Sequence, residues 1–489
     1  MAFFTKKTTT STDGPLIPWA GTALEAGALD PHFAIAGMTG SGKTMLFKAL
    51  MGAVLSIPAW SPVKEARRLG AKALIYDPKR EFYSVLRGMG IPREAITILH
   101  PFDRRCSAWD LSADIKDTAS ARQLAAILCP EDVESTNPFF ALAAQEIVFA
   151  VIEALRANEG AKWSLRDVVE ASLDRAVLER VLGWTDVGKE TKATYVTEHK
   201  TTIDILATLR SKIGRFAVVA SLWHHAKGTP FSLTRWLASN EPGVVLVGAD
   251  SANSESIRPI NRALFRRFSE LVTARNEIAS EKSNAASEQI WVFLDELRMA
   301  GDLHGLDALL LEGRSKGARV VLGFQDIEGL YEVYGEHVAR ELVGQCGNRA
   351  ILRLGNTETM RWAAEFVGEK RDYFRTTVNT QAHEDSKLEF RDMAAMLAVE
   401  FRLLRRPVRG RAPGFEGFFV PPDKGSDDKR ELSEEWIQRY VPGVSTEESD
   451  CGFVGNYDDT FQRRVPWTTA DDARFAPMVD LTFRRPRNE

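Results

Sequence analysis

The chain is poor in cysteine, has no long uncharged apolar run and carries no excess of either charge. Its four cysteines, Cys106, Cys129, Cys346 and Cys451, stand far apart and form no C-x-x-C pair. That argues against a disulfide scaffold or a cysteine-based zinc site, and the four read as reduced thiols in a cytosolic protein. Met1 to Asp13 is polar and rich in threonine, without the apolar centre of a signal peptide. The most apolar stretch, Phe139 to Leu155, carries Gln145, Glu146 and Glu153 and is short for a membrane span. A buried amphipathic helix is expected there, and no transmembrane segment elsewhere. The 63 Lys and Arg are offset by 67 Asp and Glu, a net charge of −4. The whole-molecule field therefore does not favour nucleic acid, although net charge averages over faces and leaves room for a local basic groove. Internal repeats and low-complexity blocks are absent too. At 489 residues the chain is long enough for two or three domains.

One stretch fits a chemical pattern without slack. Gly37-Met38-Thr39-Gly40-Ser41-Gly42-Lys43-Thr44 matches G-x-x-x-x-G-K-[ST], follows the apolar run Phe33-Ala34-Ile35-Ala36 and leads into a helix-forming segment from Met45 to Ala53. Strand before and helix after is the context that separates a phosphate-binding loop from a glycine-rich turn with an accidental Lys-Thr. The glycines let backbone N–H groups turn inward around the β- and γ-phosphates of a nucleotide. Lys43 adds a point charge to the same oxygens, and Thr44 offers its hydroxyl to Mg²⁺. The phosphates then sit at a helix N-terminus, whose dipole favours anions.

Around this loop the chain reads in order. Residues 1–29 form a flexible arm, with Pro15 and Pro18 marking irregular backbone. A second strand, Ala73 to Tyr76, ends in Asp77-Pro78-Lys79-Arg80-Glu81-Phe82. An acid at the C-terminal end of a strand beside a P-loop strand lies near the ligand crevice of an open α/β sheet. An Asp that opens a turn before proline accounts for Asp77 equally well. A third strand spans Ala95 to Leu99. From there to about Trp236 helical periodicity dominates, in Thr118–Leu128, Pro138–Arg156, Leu165–Leu182 and Ala193–Leu222, which predicts an all-α insertion over 112–236. Within it Phe139, Leu142, Ile147, Val151 and Leu155 form a stripe expected to face the core. Strand character returns at Gly243 to Ala249, followed by a helix from Glu255 to Ile278 bearing Arg258, Arg262, Arg266 and Arg267. A solvated face is the simpler account of those arginines, and contact with DNA or a neighbouring subunit the sharper one. Ala279 to Glu288 reads as a surface loop.

The second chemical signal is Ile290-Trp291-Val292-Phe293-Leu294-Asp295-Glu296, an apolar strand ending in two acids. Opposite a phosphate loop, Asp295 would hold Mg²⁺, directly or through water, and Glu296 would polarise the attacking water. Alone this pattern is weak; with a good P-loop upstream it becomes strong. A helix from Leu306 to Glu312 and a turn, Gly313-Arg314-Ser315-Lys316-Gly317, lead to a strand that ends at Phe324-Gln325-Asp326. Gln325 could sense the γ-phosphate or the water. Arg314 could reach a neighbouring subunit's nucleotide and stabilise charge on the transferred phosphoryl group, but on the residues alone a plain surface role is the simpler account. Arg349 to Leu354 and the helix Thr357 to Phe366 close the sheet. Asp372 to Lys387 reads as a polar, mobile loop, Phe415 to Val420 as an edge strand, and 423–489 as a charged, partly ordered tail.

This order of motifs resembles the type IV secretion coupling proteins, conjugation ATPases of the TraG/TraD/TrwB kind within the FtsK/HerA group of RecA-like DNA pumps. Asp77-Pro78-Lys79-Arg80-Glu81-Phe82 resembles the family's Asp-Pro-Lys-Gly-Glu-Phe, and Asn137-Pro138-Phe139-Phe140 its Asp-Pro-Phe-Trp. Leu306 through Gln325 is similar to the segment carrying the family's arginine finger and catalytic glutamine. The resemblance covers about residues 30 to 370. It implies Lys43 and Thr44 on phosphate and Mg²⁺, Asp295 and Glu296 on metal and water, Gln325 as γ-phosphate sensor, and Arg314 acting in trans. It also implies ATP and Mg²⁺ as cofactors and a homohexameric ring with DNA, single- or double-stranded, in its channel. One departure stands out. Such coupling proteins usually begin with a pair of transmembrane helices, and here 36 residues precede the P-loop. Either another protein supplies the anchor or the chain works as a free cytoplasmic motor.

The fold expected is therefore α/β: a RecA-like P-loop NTPase with a mostly parallel central sheet over 30–111 and 237–422, interrupted by the all-α insertion. The function expected is an ATP-driven DNA translocase serving conjugative transfer or mobilisation, cytoplasmic or held at the inner membrane through a partner, with a relaxase and type IV secretion components as further partners. Two rivals remain: a cytosolic DNA-processing or defence motor of the HerA type, and an ATP-switched adaptor that recruits protein substrates to a secretion channel.

Overall fold

The computed structural model of the chain describes residues 17–19, 22–24, 31–55, 71–131, 138–158, 162–277, 289–380, 383–408, 414–420 and 428–475. Most of the arm expected over 1–29, Asn137, the spacer from Ala279 to Glu288 and residues 476–489 of the tail lie outside them.

Thirteen strands are described: β1 (Ile17–Trp19), β2 (Thr22–Leu24), β3 (Phe33–Ala36), β4 (Lys72–Asp77), β5 (Ile96–Ile98), β6 (Val244–Gly248), β7 (Ile290–Leu294), β8 (Ala318–Phe324), β9 (Asn348–Ile351), β10 (Glu369–Thr380), β11 (His383–Ala394), β12 (Phe415–Val420) and β13 (Asp428–Leu432). Nine of them form one sheet in the order β13-β12-β9-β3-β8-β7-β4-β6-β5. The seven strands from β9 to β5 run parallel, and β12 lies antiparallel between β9 and β13. The inner strands are buried along their whole length and read as unbroken apolar runs, as parallel strands covered on both faces must.

Alternate residues feed two cores. Phe33, Ile35, Ile75, Trp291 and Phe293 pack with Phe47, Leu50 and Val54 of the helix Lys43–Leu55. Ala34, Leu74, Val292 and Leu294 face the other side, toward Phe265 and Phe268 of the helix Ser254–Thr273 and toward the inserted helices. Period-two alternation thus puts the phosphate-loop helix on one face and the helical region on the other.

Between Leu111 and Ala238 the described backbone forms helices and contributes no strand to the sheet. One acid ties the two ends of this region together. Asp114, fully buried, accepts from Trp109 Nε1 at 2.7 Å, Ser232 Oγ at 2.7 Å, Leu233 N at 2.8 Å and Thr234 N at 2.9 Å. The long helices expected at Leu165–Leu182 and Ala193–Leu222 are each divided. Asp174 ends one helix and caps the next by accepting from Val177 N. The stripe on Phe139–Arg156 is core at Ile147, Val151 and Leu155, but Phe139 and Leu142, in its first turn, are 44% and 40% exposed.

Four further expectations are corrected. Trp19 is no part of a loose arm: it is buried, 5.1 Å from Phe33 and 6.0 Å from Phe419. Asp372 to Lys387 lies mostly within paired strands, where β10 and β11 form a two-stranded ladder from Glu369↔Ala394 to Thr380↔His383. Phe415–Val420 is not the edge, because β13 pairs outside it; a strand as charged as Asp-Lys-Arg-Glu-Leu carries little apolar signal.

The tail is the fourth. Trp436 and Ile437 pack against the core under the phosphate-loop helix. Asp450 accepts from Arg87 at 3.0 Å, Arg104 N donates to Val454 O at 2.8 Å, and Asn456 N donates to Phe102 O at 2.8 Å. Further on, Arg464 and Arg474 bond Glu170 and Asp167 of the inserted helices at 2.8 and 2.7 Å, and Phe475 is fully buried. The segment from β13 to Phe475 is a strap running from one edge of the sheet, past β5 at the other, to the helical region.

Candidate active site

The phosphate loop leaves β3 between two strands that fix its ends. Gly37 N donates to Phe324 O at 3.1 Å at the end of β8, and Met38 N to Arg353 O at 2.9 Å just beyond β9. Gly40 and Gly42 have φ of +76° and +110°, conformations that a side chain disfavours. At Gly42 space adds to the constraint, since a Cβ would stand 2.9 Å from the Phe415 ring. The loop then turns into the helix at Lys43, which is buried and donates to Gly37 O at 2.5 Å. Burial lowers the Lys43 ammonium from its ordinary value, against the pull of Glu296 and Asp295.

The two acids meet this lysine from β7. Lys43 Nζ lies 3.4 Å from Glu296 Oε1. Lys79, from the loop after β4, reaches the same oxygen at 3.2 Å and Asp295 Oδ2 at 3.8 Å. Burial disfavours the Lys79 charge, but the two acids outweigh it and raise its pKa. Asp295 is 1% exposed, and neither of its oxygens receives a hydrogen bond. Burial raises its pKa, with Lys79 opposing and Glu296 adding to the rise. A glycine makes room for it: a Cβ on Gly323 would stand 3.2 Å from Asp295 Oδ1 and 2.8 Å from the Phe47 ring. Glu296 has a left-handed backbone at φ +53°, strain of about 1–3 kcal/mol that such sites hold. A buried carboxylate with no donor, beside a phosphate loop and a threonine at the helix start, is a donor set that suits Mg²⁺. Ser41 Oγ, also buried without a partner, points to the same incomplete polar shell.

Asp77 and Arg80 resolve differently. Asp77 turns back to accept from Phe82 N at 2.8 Å and Glu81 N at 3.2 Å. Of the two accounts open for it, the turn-opening one holds. Arg80 stands where the resembling motif has glycine, and its φ is +59°. Its side chain offsets that cost by bonding Asp250 at 2.8 Å and Ala249 O at 3.0 Å and lying 4.2 Å over Phe453 of the strap.

Gln325 follows β8, and its Oε1 accepts from Thr39 Oγ1 at 3.1 Å. A cleft of about 490 Å³ opens beside it, lined by Glu296, Arg298 and Arg258 among others. The structure therefore brings Lys43, Asp295, Glu296 and Gln325 together with the loop. It does not bring Arg314 there. That residue is exposed in the turn before β8, a seven-residue strand away, or roughly 20 Å. Of the arginines on Ser254–Thr273, Arg262 bonds Asp302 O and Arg266 and Arg267 bond Glu270, while Arg258 lines the cleft. Two contributors escape sequence reasoning. Lys79 sat in a motif with no role of its own, and His32 gave no signal. His32 accepts from Val320 N at 3.1 Å and pairs with Leu310 O at 3.0 Å, bracing the start of β3 against β8.

Sheet order, phosphate loop and acid pair define a P-loop NTPase fold. The chain matches the type IV secretion-system coupling protein DNA-binding domain over residues 17–396, and it belongs to that family. Coupling protein TraD of Escherichia coli (strain K12) is 25% identical over 345 residues, 69% of this chain and 44% of TraD. The chain thus spans less than half the length of that relative. Among solved structures, the bacterial conjugative coupling protein TrwBdeltaN70 in its unbound monoclinic form superposes with a TM-score of 0.68 at 19% identity, covering 90% of this chain and 92% of that one. Plasmid coupling protein TrwB in complex with ADP and Mg²⁺ gives 0.66 at 18% identity, over 91% and 93%. At such identities the likeness establishes the RecA-like fold. No helix among the described residues is long and apolar enough to cross a membrane.

Proposed function

We propose that the chain is an ATP-hydrolysing, DNA-translocating ATPase of the coupling type, working as a homohexameric ring in conjugative transfer or mobilisation through a type IV secretion system. The observation that carries the reading is Asp295, a buried acid without a hydrogen-bond donor, set beside Glu296 and the phosphate-loop lysine. Membership of the coupling-protein family supports DNA as partner. TrwB has been solved with ADP and Mg²⁺ and with the ATP analogue ADPNP, which supports the same ligands here.

Each residue then has a task. Lys43 and the loop N–H groups hold the phosphates, with Thr44 and Asp295 as donors to Mg²⁺. When bound, the metal neutralises charge on the phosphates. Glu296 orients the attacking water and takes its proton. Gln325, held by Thr39, faces the γ-phosphate. Arg314, on the far side of its own subunit, acts on the neighbour's nucleotide, which makes the ring part of the chemistry. A relaxase and secretion components are the partners this scheme calls for, with recruitment to the inner membrane through one of them.

ATP hydrolysis by the purified protein with and without single- and double-stranded DNA, at fixed modest salt because DNA contacts weaken steeply with ionic strength, tests the reading. Stimulation by DNA is expected. Hydrolysis indifferent to both forms would replace the motor with an adaptor for protein substrates.

A further inference from the structure

Four charged side chains converge at the C-terminal ends of β3, β4 and β7, and the hydrolytic scheme uses three of them. The fourth is Lys79. Its ammonium lies 3.2 Å from Glu296 Oε1 and 3.8 Å from Asp295 Oδ2, while Lys43 lies 3.4 Å from that same Glu296 oxygen. One carboxylate oxygen is thus held between two ammonium groups. The lysines differ in how firmly they are fixed. Lys43 is buried and bonded to Gly37 O. Lys79 enters from a loop, its side chain 43% exposed, and spans both acids.

Adjacent buried carboxylates repel each other, and each is costly without a cation nearby. Asp295 has no hydrogen bond to relieve it. Lys79 supplies the charge that Mg²⁺ would supply with nucleotide bound, from a position that can yield.

We infer that Lys79 is a displaceable counter-ion and positioning residue: it fills the cation position of the Asp295–Glu296 pair before nucleotide arrives, yields Asp295 to the incoming metal, and stays on Glu296 to hold that carboxylate in place. The assignment deepens the nucleotide reading above and rests on it. It has a consequence independent of turnover. With Lys79 in place the empty site resists a free divalent cation, so metal enters with nucleotide.

Mn²⁺ is the probe. Nucleotide-free wild type, Lys79→Met, Lys79→Arg and the double variant Lys79→Met/Asp295→Asn are titrated with Mn²⁺ by electron paramagnetic resonance, and fluorescent ADP binding is measured in parallel with and without Mg²⁺. Lys79→Met should bind Mn²⁺ about tenfold or more tightly than wild type, because one positive charge a few ångströms from the metal is gone. Lys79→Arg should match wild type, and the double variant should lose the gain. Unchanged Mn²⁺ affinity in Lys79→Met, with ADP binding intact, overturns the counter-ion role. Failure of wild type to bind ADP at any Mg²⁺ concentration overturns the nucleotide reading itself, and the counter-ion role falls with it.

Discussion

Two clusters of buried charge divide this molecule, and they follow opposite rules. Where the strap meets the inserted helices, the acids are saturated. Asp167 accepts from Arg166, Arg474 and Ser164, Glu170 accepts twice from Arg464, and Asp471 accepts from Thr468 and Arg474 and pairs with Arg166. At the phosphate loop, Asp295 accepts no hydrogen bond and Glu296 stands in a strained backbone between two lysines. A saturated network holds one arrangement; an unsaturated one is ready for a ligand that completes it. Buried charge alone therefore does not mark an active site, whereas buried charge left short of donors does.

The sharpest way to break this contrast is to delete one cation from each cluster. Arg166→Met removes one of the two guanidinium groups that Asp167 and Asp471 share with Arg474, and should lower the unfolding free energy by about 1.5–3 kcal/mol, measured by urea denaturation. Lys43→Ala should reduce ATP turnover about a thousandfold or more while leaving unfolding within about 1 kcal/mol of wild type. Large unfolding losses in both variants would mean that the clusters are built alike.

The sequence made these regions legible to very different degrees. The phosphate loop and the Asp295-Glu296 strand were readable because each is a local pattern whose spacing the chemistry dictates. So were the inner strands, whose apolar runs follow from burial on both faces. Contacts across the sheet were not. Lys79 meets Glu296 from 217 residues away and Thr39 meets Gln325 from 286, distances that no local pattern reports. The strap was hidden for another reason. Its anchors are charged side chains matched to partners on distant helices, and a charged stretch without periodicity reads as solvated. A role for Arg314 rests on resemblance alone, since within its own subunit the residue lies a strand's length from the phosphate loop.

Acid should separate the turn acid Asp77 from the strap's Asp471 by sign. Burial pushes the Asp77 carboxyl from its ordinary 3.8 up to about 6, against the bonds from Phe82 and Glu81. The folded state then holds that proton more tightly than the unfolded chain, so stability is lost as pH rises from about 4 to about 6. Asp471 goes the other way. Burial pushes it up, but the donors Thr468 and Arg166 prevail and hold it below the usual range. Its contribution is present above about pH 4 and fades as pH falls further. Asp77→Asn should flatten the profile between pH 4 and 6 by about 2–3 kcal/mol, measured by urea unfolding across pH. An unaltered profile would mean that burial does not raise the Asp77 carboxyl.

The finest distinction rests on one exposed contact, the 3.1 Å bond from Thr39 Oγ1 to Gln325 Oε1. It joins the phosphate loop to the end of β8 and is the kind of weak bond that a site can exchange during turnover, unlike the multiple bonds that hold the strap. A hydrogen bond of this type contributes about 0.5–1.5 kcal/mol, so Thr39→Val should lower kcat by about threefold to tenfold. KM should stay near wild type if Gln325 acts in the transition state as proposed, because Val keeps the shape of the loop and removes only the contact to Gln325. Loss confined to kcat would place Gln325 among the groups that the loop positions in advance. An unchanged kcat would mean that bound nucleotide alone orients Gln325. The groups set in place before nucleotide binds would then be the two acids and their two lysines.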